Sequence, residues 1–246
     1  MAAGLGMACG DGGESEGPVD TTELPSAESF YPQKPGNSWT YLVTPLVDID
    51  VPTFKVVKID EAGPVGGDGG SAQRPAYRHT TCKESPSPEA CKQPPGADNK
   101  TDQTVGWLGT YNKVIANYRE QAFKKFTTMM TEEDWWEPYR TKIDQRPDHL
   151  MAGAMWTETF REYKRPWNGP MTVSKQTETW RVEAVGETIV VNPPGGAPRT
   201  YPNCIKISHN TATGATTKTF WYARGIGKVK EMGTQMEELI DYTVVP

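Results

Sequence analysis

The sequence predicts a mainly β fold: a curved antiparallel meander or half-barrel with long loops and at most one short helix. Segments rich in Thr, Val, Ile, Trp and Tyr recur along the chain, most regularly in its C-terminal half, and these residue types favour strands. Turn sequences rich in Gly, Pro and Asn separate the segments at short intervals, which is typical of hairpins. No amphipathic helical pattern links two strand segments, so we expect antiparallel pairing rather than parallel βαβ units.

The predicted strands alternate with turns along most of the chain. Their bounds are 39–43, 51–59, 77–81, 105–108, 113–123, 140–145, 155–163, 176–185, 187–191, 204–209, 218–223, 227–231 and 237–245. The segment 113–123 is compatible with a helix or a strand, and the alternation of its residues favours a strand. Gly225 and Gly227 stand between two strand segments and predict a bulge or bend that curves the sheet.

A capped turn is predicted near the middle of the chain. Thr131 can cap a helix N-terminus, and the acidic residues 132–134 would lie in its first turn, where the helix dipole favours negative charge. Pro138 follows closely after two tryptophans and cannot continue a helix. The pattern therefore predicts one helical turn rather than a longer helix.

The composition fits one sizeable β domain. Of the 246 residues 36% are apolar, so the 8 Trp, 10 Tyr and 6 Phe must fill much of the core. We assign residues 28–246 to a single antiparallel β domain and residues 1–27 to a disordered tether. The net charge is −5 and no basic stripe is present, which argues against a nucleic-acid partner.

Two long loops interrupt the predicted strands. The Gly-rich loop 62–76 lacks the GxxxxGK[ST] pattern of a phosphate-binding loop and is interpreted as a flexible connection. The loop 82–104 carries Cys82 and Cys91, and the Pro- and Ser-rich segment between them predicts a disulfide. Free thiols, or a metal site that adds His79, are the alternatives; no fourth ligand is evident, so we expect no metal.

The N-terminus predicts a lipid anchor. Residues 6–9, Gly-Met-Ala-Cys, resemble the end of a lipoprotein signal peptide, in which Cys9 would carry the lipid. The polar segment GDGGESEG that follows resembles the flexible tether of a lipidated domain. An ordinary disordered terminus with an incidental cysteine is the alternative, because no apolar signal-peptide segment precedes Cys9.

Several stretches resemble those of one protein family. They are the opening FYPQKPGNSWTY (30–41) and the closing stretches YPNCIKI (201–207), TFWYARGIGKVKE (219–231) and EELIDY (237–242). Together they are similar to uncharacterised bacterial envelope lipoproteins of the myxobacterial type, and the similarity covers residues 28–60 and 176–246. The resemblance implies an extracytoplasmic β domain and carries over no activity and no cofactor.

The same resemblance implies a curved sheet like that of the periplasmic lipoprotein-carrier fold, with a concave apolar face. We therefore expect an exported, lipid-anchored protein of the periplasm, outer membrane or cell surface that acts as a structural or interaction subunit. Its partners would be envelope proteins or further copies of itself, and the anchor would attach it to a membrane. The alternative is a binding module that holds a lipid or another apolar ligand on the concave face.

Motifs of catalysis are absent from the sequence. His79, His149 and His209 lack a second ligand or base at functional spacing, and no GxSxG nucleophile pattern is present. Cys204 begins a strand segment and is interpreted as a small buried side chain. We therefore expect no enzymatic activity and no cofactor.

One cluster is a candidate ligand site. Trp135 and Trp136 stand beside Glu133 and Glu137, and aromatic rings next to carboxylates suit the binding of sugars. Two facing carboxylates also cleave glycosidic bonds in many enzymes, so hydrolysis is a remote alternative. The other interpretation is a solvated, capped turn whose tryptophans close the end of the core.

Overall fold

The computed structural model describes residues 19–46, 51–61, 63–64, 74–91, 101–211 and 217–246. The described residues form twelve strands and two single turns of 3₁₀ helix, Pro88–Ala90 and Pro147–His149. The strands are β1 (Ser38–Pro45), β2 (Thr53–Asp60), β3 (Tyr77–Ser85), β4 (Gln103–Tyr111), β5 (Val114–Phe123), β6 (Met130–Asp144), β7 (Met155–Pro166), β8 (Thr172–Val191), β9 (Arg199–Thr211), β10 (Thr217–Ala223), β11 (Gly227–Met232) and β12 (Gln235–Thr243). Cys9 and most of the loop 62–76 lie outside the described residues, so what the sequence predicts for them stays a prediction.

The twelve described strands close into an antiparallel barrel. Each strand pairs with the next along the chain, and β1 also pairs with β12, with Ser38 opposite Thr243 and Trp39 opposite Tyr242. The prediction of a mainly β fold is confirmed, but the predicted half-barrel is wrong because the first and last strands join. Closure pairs the backbone groups that an open sheet leaves unpaired along its two edges.

The predicted helical turn at residues 131–136 is also wrong, because this segment lies within β6. Neighbouring strands, rather than a helix dipole, neutralise Glu132 and Glu133 of this segment. The carboxylate of Glu133 accepts hydrogen bonds from Arg119 Nε at 2.6 Å and Gln121 Nε2 at 2.9 Å, and it forms an ion pair with Arg165. Opposite charges on adjacent strands stabilise a sheet, so an acidic run is compatible with a strand here.

The bend predicted at Gly225 and Gly227 is the tight turn between β10 and β11. The two glycines have φ angles of 71° and 114°, which residues with a β-carbon rarely adopt. Gly227 also lies against Trp39, since a β-carbon there would be 2.9 Å from Trp39 Nε1. The indole N–H of Trp39 donates to the carbonyl oxygen of Ile226 at 2.5 Å, which connects β1 to this turn.

Residues 19–37, here called the plug, close one end of the barrel. Phe30 and Tyr31 are buried in an apolar cluster that includes Ile143 near the end of β6. The backbone N–H of Phe30 donates to Gln145 Oε1 at 2.6 Å, so the plug is held by hydrogen bonds as well as by packing.

The first described residues also contact the barrel. Asn112, in the turn between β4 and β5, donates its backbone N–H to Asp20 O at 2.7 Å and accepts from Asp20 N through Oδ1 at 2.8 Å. Gly225, in the turn between β10 and β11, donates to Ser29 O at 2.8 Å. The domain boundary predicted at residue 28 therefore falls inside a segment that packs on the barrel.

The disulfide predicted between Cys82 and Cys91 is present, with the two Cα atoms 5.6 Å apart. It connects the end of β3 to the 3₁₀ turn at Pro88–Ala90, and both cysteines pack against Val56 of β2. The disulfide therefore fixes the described start of the long β3–β4 connection to the side of the barrel.

Candidate binding site in the barrel lumen

A cavity of about 540 Å³ lies in the lumen, and side chains of every described strand except β4 and β7 line it. A smaller cavity of about 170 Å³ shares Lys55, Lys83 and Lys142 with it and adds Tyr31 from the plug. The two cavities are therefore parts of one interior space, and the plug forms its floor.

Strand alternation places these side chains in the lumen. On β10, Lys218, Phe220 and Tyr222 line the cavity, whereas Trp221 between them packs into a different apolar cluster. Successive side chains of a strand point to opposite faces of the sheet, so a charged and an aromatic residue two positions apart share the interior. The lumen consequently combines charged and aromatic side chains.

The cavity lining carries more positive than negative side chains. Among the described lining residues the cations are Lys55, Lys83, Arg140, Lys142 and Lys218, and the acids are Glu120, Glu231 and Glu237. The whole chain has a net charge of −5, so the lumen differs in sign from the molecule around it. An enclosed site that is lined mainly by charges of one sign attracts ligands of the opposite sign.

Four charged residues form what we call the ion cluster: Lys55, Lys228, Glu231 and Glu237. Lys228 Nζ lies 2.6 Å from Glu237 Oε2 and also pairs with Glu231, and Lys55 Nζ lies 2.9 Å from Glu237. Burial alone would raise the pKa of both glutamates, but the ammonium groups of Lys228 and Lys55 together outweigh it. The pKa of Glu231 is lowered to about 2 and that of Glu237 also lies below its ordinary value, so both stay ionised.

Lys142 faces the same interior without an ion pair among the described residues. Its Nζ lies 5.5 Å from the centre of the Tyr31 ring, and its side chain borders both cavities. Burial lowers the pKa of Lys142 to about 7, and the two ammonium groups of the ion cluster contribute in the same direction. Lys142 therefore exists in the charged and the neutral form near neutral pH.

Aromatic rings form another part of the lining. Trp180 and Phe220 border the cavity with ring centroids 6.3 Å apart, and His209 stacks on Trp180 at 4.2 Å. Trp156 stacks on Trp180 at 6.3 Å, and His149 stacks on Trp156 at 4.2 Å. The stack continues from the lumen toward the strand ends, and Trp180 and Phe220 give the cavity an apolar patch.

Two carboxylates hold this aromatic stack in place. Glu178 lies 3.0 Å from His209 Nε2 and accepts a hydrogen bond from Arg140 Nε at 3.1 Å. Glu158, opposite Glu178 across β7 and β8, accepts a hydrogen bond from Trp180 Nε1 at 2.5 Å. Burial raises the pKa of Glu158 to about 7, and the nearby charge of Glu178 adds to the effect.

The four candidate ligand contacts predicted from the sequence all lie on β6. They are Glu133, Trp135, Trp136 and Glu137, and none of these described side chains lines a lumen cavity. Both tryptophans are buried, and Trp135 stacks on Tyr163 with centroids 5.5 Å apart. Glu133 is also buried, and Glu137 accepts a hydrogen bond from the Tyr163 hydroxyl at 2.7 Å. The structure therefore does not gather these side chains around an open site, and their ligand role stays a prediction.

Two further residues singled out in the sequence are buried. His79 stacks on Tyr31 with centroids 5.8 Å apart, and burial lowers its pKa to about 3, so its ring is neutral at physiological pH. Cys204 is a free, buried thiol whose pKa is raised to about 11 by burial. A thiol in this state is not a nucleophile at neutral pH, which agrees with the interpretation of Cys204 as a small buried side chain.

Sequence reasoning missed the lumen cations, above all Lys142 and Lys228. Both lie inside strand segments that also contain buried apolar residues. A charged side chain inside a buried strand lowers stability unless an opposite charge or a ligand pairs with it. The sequence shows this pattern of lysines among apolar residues. The sequence does not show which face of each strand is enclosed, because that follows from the closure of the barrel.

No protein-family model, curated protein or solved structure matches this chain. Among the described residues, no helix has the length and the hydrophobicity of a membrane-spanning segment. The described residues also contain no group of three or more His, Cys, Asp or Glu side chains that could hold a metal ion.

Proposed function

We propose that the barrel is a binding module whose lumen holds a small anionic ligand with an aromatic or apolar part. The observation that carries the proposal is the cavity of about 540 Å³ with an excess of cations, one of which, Lys142, has no carboxylate partner among the described residues. Cavities of roughly 300–1,000 Å³ bind drug-sized molecules, so the volume suits such a ligand.

The ligand class follows from the two kinds of lining. An ammonium group in an enclosed site gains much more from an anion than it does in water, because the surroundings are less polar. Trp180 and Phe220 provide an apolar patch in the same cavity. A ligand with one anionic group and one planar apolar group matches both.

This proposal changes the chemistry of the binding module expected from the sequence. A lipid or another wholly apolar ligand would leave Lys142 without an anionic partner, which is unfavourable in an enclosed site. The sign of the lining therefore favours an anionic ligand over a neutral one.

Entry is expected at the end of the barrel opposite the plug. Lys218 lies near the start of β10, borders the cavity and keeps 45% of its side chain exposed, so the cavity extends toward solvent at this end. The plug, with Phe30 and Tyr31 buried, closes the other end.

The proposal can be tested with two probes that differ by one charge. Anilinonaphthalene sulfonate is an anionic aromatic compound, and N-phenylnaphthylamine is the same skeleton without the sulfonate. We expect the sulfonate to bind with one site per chain and at least about tenfold more tightly, as measured by fluorescence titration, since a charge-assisted contact contributes about 1.5–3 kcal/mol. Equal or tighter binding of the neutral probe would favour the apolar-ligand alternative, and binding of neither would refute a ligand site.

A pair of lysine variants locates the site. Lys142→Met should weaken binding of the sulfonate about tenfold and leave binding of the neutral probe unchanged. Lys175→Met removes an exposed lysine of β8 and should change neither. Equal effects of the two substitutions would place the sulfonate outside the lumen.

We also propose that the protein acts outside the cytoplasm, as an envelope protein anchored through Cys9. The Cys82–Cys91 disulfide supports this location, since such bonds persist in oxidising compartments. Whether it serves there as a structural or interaction subunit stays a prediction from the sequence. Mass spectrometry of the native N-terminus tests the anchor: a diacylated Cys9 would support it, and an unmodified cysteine in a cytosolic fraction would refute it.

A further inference from the structure

We propose that Lys142 forms a covalent imine with the carbonyl group of a small aldehyde or ketone that also carries an anionic group. This inference rests on the proposed anion-binding function and narrows the class of ligand. It assigns to Lys142 the role of the bond-forming residue and to the other lumen cations the role of holding the anionic group.

The surroundings of Lys142 differ from those of the other lumen lysines, of which Lys83 is exposed. The lysines of the ion cluster and Lys218 pair with glutamates. Lys228 and Lys55 lie 2.6 and 2.9 Å from Glu237, and Lys218 lies 3.1 Å from Glu231. Such ion pairs hold an amine in its charged form, which cannot attack a carbonyl. Lys142 has no carboxylate partner among the described residues, and its Nζ lies 5.5 Å from the centre of the Tyr31 ring.

The protonation of Lys142 is compatible with this role. With its pKa lowered to about 7 by burial, a large fraction of the amine is neutral at physiological pH. Of the other titratable groups next to it, His79 has a pKa lowered to about 3 and Tyr31 has one raised to about 12, so both are neutral. The remaining charged groups around the cavity are those of the ion cluster and Lys83, Glu120, Arg140 and Lys218.

The bond change is a condensation that needs no further reactant. The lone pair of the neutral Lys142 nitrogen attacks the carbonyl carbon and forms a C–N bond. The carbonyl oxygen leaves as water, taking the two hydrogens of the amine, and a C=N double bond remains. The reaction is reversible, so the barrel would hold and release its ligand without consuming it.

The experiment uses pyridoxal phosphate as a probe, because it is a planar aromatic aldehyde with an anionic group. The full-length protein is incubated with the probe near pH 7 and treated with sodium borohydride, which reduces an imine to a stable secondary amine. Peptide mass spectrometry then locates and quantifies the modified lysines. We expect Lys142 to be modified at least about tenfold faster than the exposed Lys175, because burial lowers the pKa of Lys142 to about 7 and leaves a large fraction of its amine neutral.

Lys142→Arg keeps the positive charge but cannot form the imine, so it separates the two proposals. We expect this variant to bind anilinonaphthalene sulfonate within about threefold of the natural chain and to lose the rapid modification. Modification of Lys142 no faster than Lys175 in protein that binds the sulfonate would overturn the imine and leave anion binding intact. Failure of both the sulfonate and the aldehyde to bind would overturn both proposals.

Discussion

The ammonium nitrogen of Lys142 lies 5.5 Å from the centre of the Tyr31 ring, so a residue of the plug and a residue of β6 meet on the floor of the lumen. The plug is therefore part of the proposed site as well as the closure of the barrel. A cation above an aromatic face is stabilised by the ring quadrupole, which partly offsets the cost of burying Lys142. The same contact connects the stability of the fold to the chemistry of its interior.

The plug should contribute strongly to stability. Tyr31→Ala removes a buried ring from the floor of the lumen, and we expect it to lower the free energy of unfolding by about 3–5 kcal/mol in urea titrations. Tyr242→Ala removes a partly exposed ring from β12 and should cost about 1 kcal/mol or less. Similar losses for the two variants would mean that the plug does not pack on the barrel as described.

The ion cluster should be sensitive to the loss of its central cation. Lys228→Met leaves Glu231 and Glu237 with fewer partners in a buried site, and we expect a loss of about 3–5 kcal/mol in the free energy of unfolding. Lys230 lies two residues further along β11 and pairs with Glu238 at 2.9 Å on a more exposed surface. Lys230→Met should therefore cost about 1 kcal/mol or less, and a reversed order of the two effects would contradict the description of the cluster.

Glu158 should make stability depend on pH. Burial raises its pKa to about 7 from an ordinary value of 4.5, so between these values the folded state binds more protons than the unfolded state. Its contribution is therefore most favourable below about pH 4.5 and is lost progressively as the pH rises to about 7. Glu158→Gln keeps a neutral side chain at all pH values and should stabilise the protein at pH 8 by up to about 3 kcal/mol, with little change at pH 4.

The control for this prediction is Glu183→Gln, which neutralises a less buried glutamate of β8. Thermal unfolding measured from pH 4 to pH 8 should show a flatter profile for Glu158→Gln and an unchanged profile for the control. A Glu158→Gln profile parallel to that of the natural protein would show that Glu158 is not buried in the folded state.

The disulfide should stabilise the barrel by restricting the unfolded chain. Cys82 and Cys91 are 9 positions apart, and closing a loop of this length contributes about 2–3 kcal/mol in the chain-entropy description. We expect Cys82→Ser with Cys91→Ser to lower the free energy of unfolding by about that amount. A thiol reductant should destabilise the natural protein and leave the double variant unchanged; an insensitive natural protein would argue against the bond.

The sequence was sufficient to predict most of the strands but not that the sheet closes into a barrel. Strand composition and turn residues are local properties, and Trp39 and Phe220 lie in segments that these properties identify. The pairing of Ser38 with Thr243 joins the first and last described strands, and no local pattern encodes it. The acidic start of β6 misled the prediction because Arg119 and Arg165, which neutralise it, come from other strands.

The site was harder to predict than the fold. A lysine such as Lys142 reaches the lumen only because of the register of its strand, and bulges change that register. The register of β8 against β9, for example, shifts between Val182 and Ala184. Without the positions of such shifts, alternation along a strand cannot separate inward from outward side chains.

The central claim is that the lumen binds an anionic ligand, and a crystal structure of the protein with anilinonaphthalene sulfonate tests it most directly. The account predicts density for one probe molecule in the barrel, with its sulfonate in contact with lumen cations that include Lys142 and its rings against Trp180 or Phe220. Density for the probe only on the outer surface of the barrel, with the lumen occupied by water, would contradict the claim.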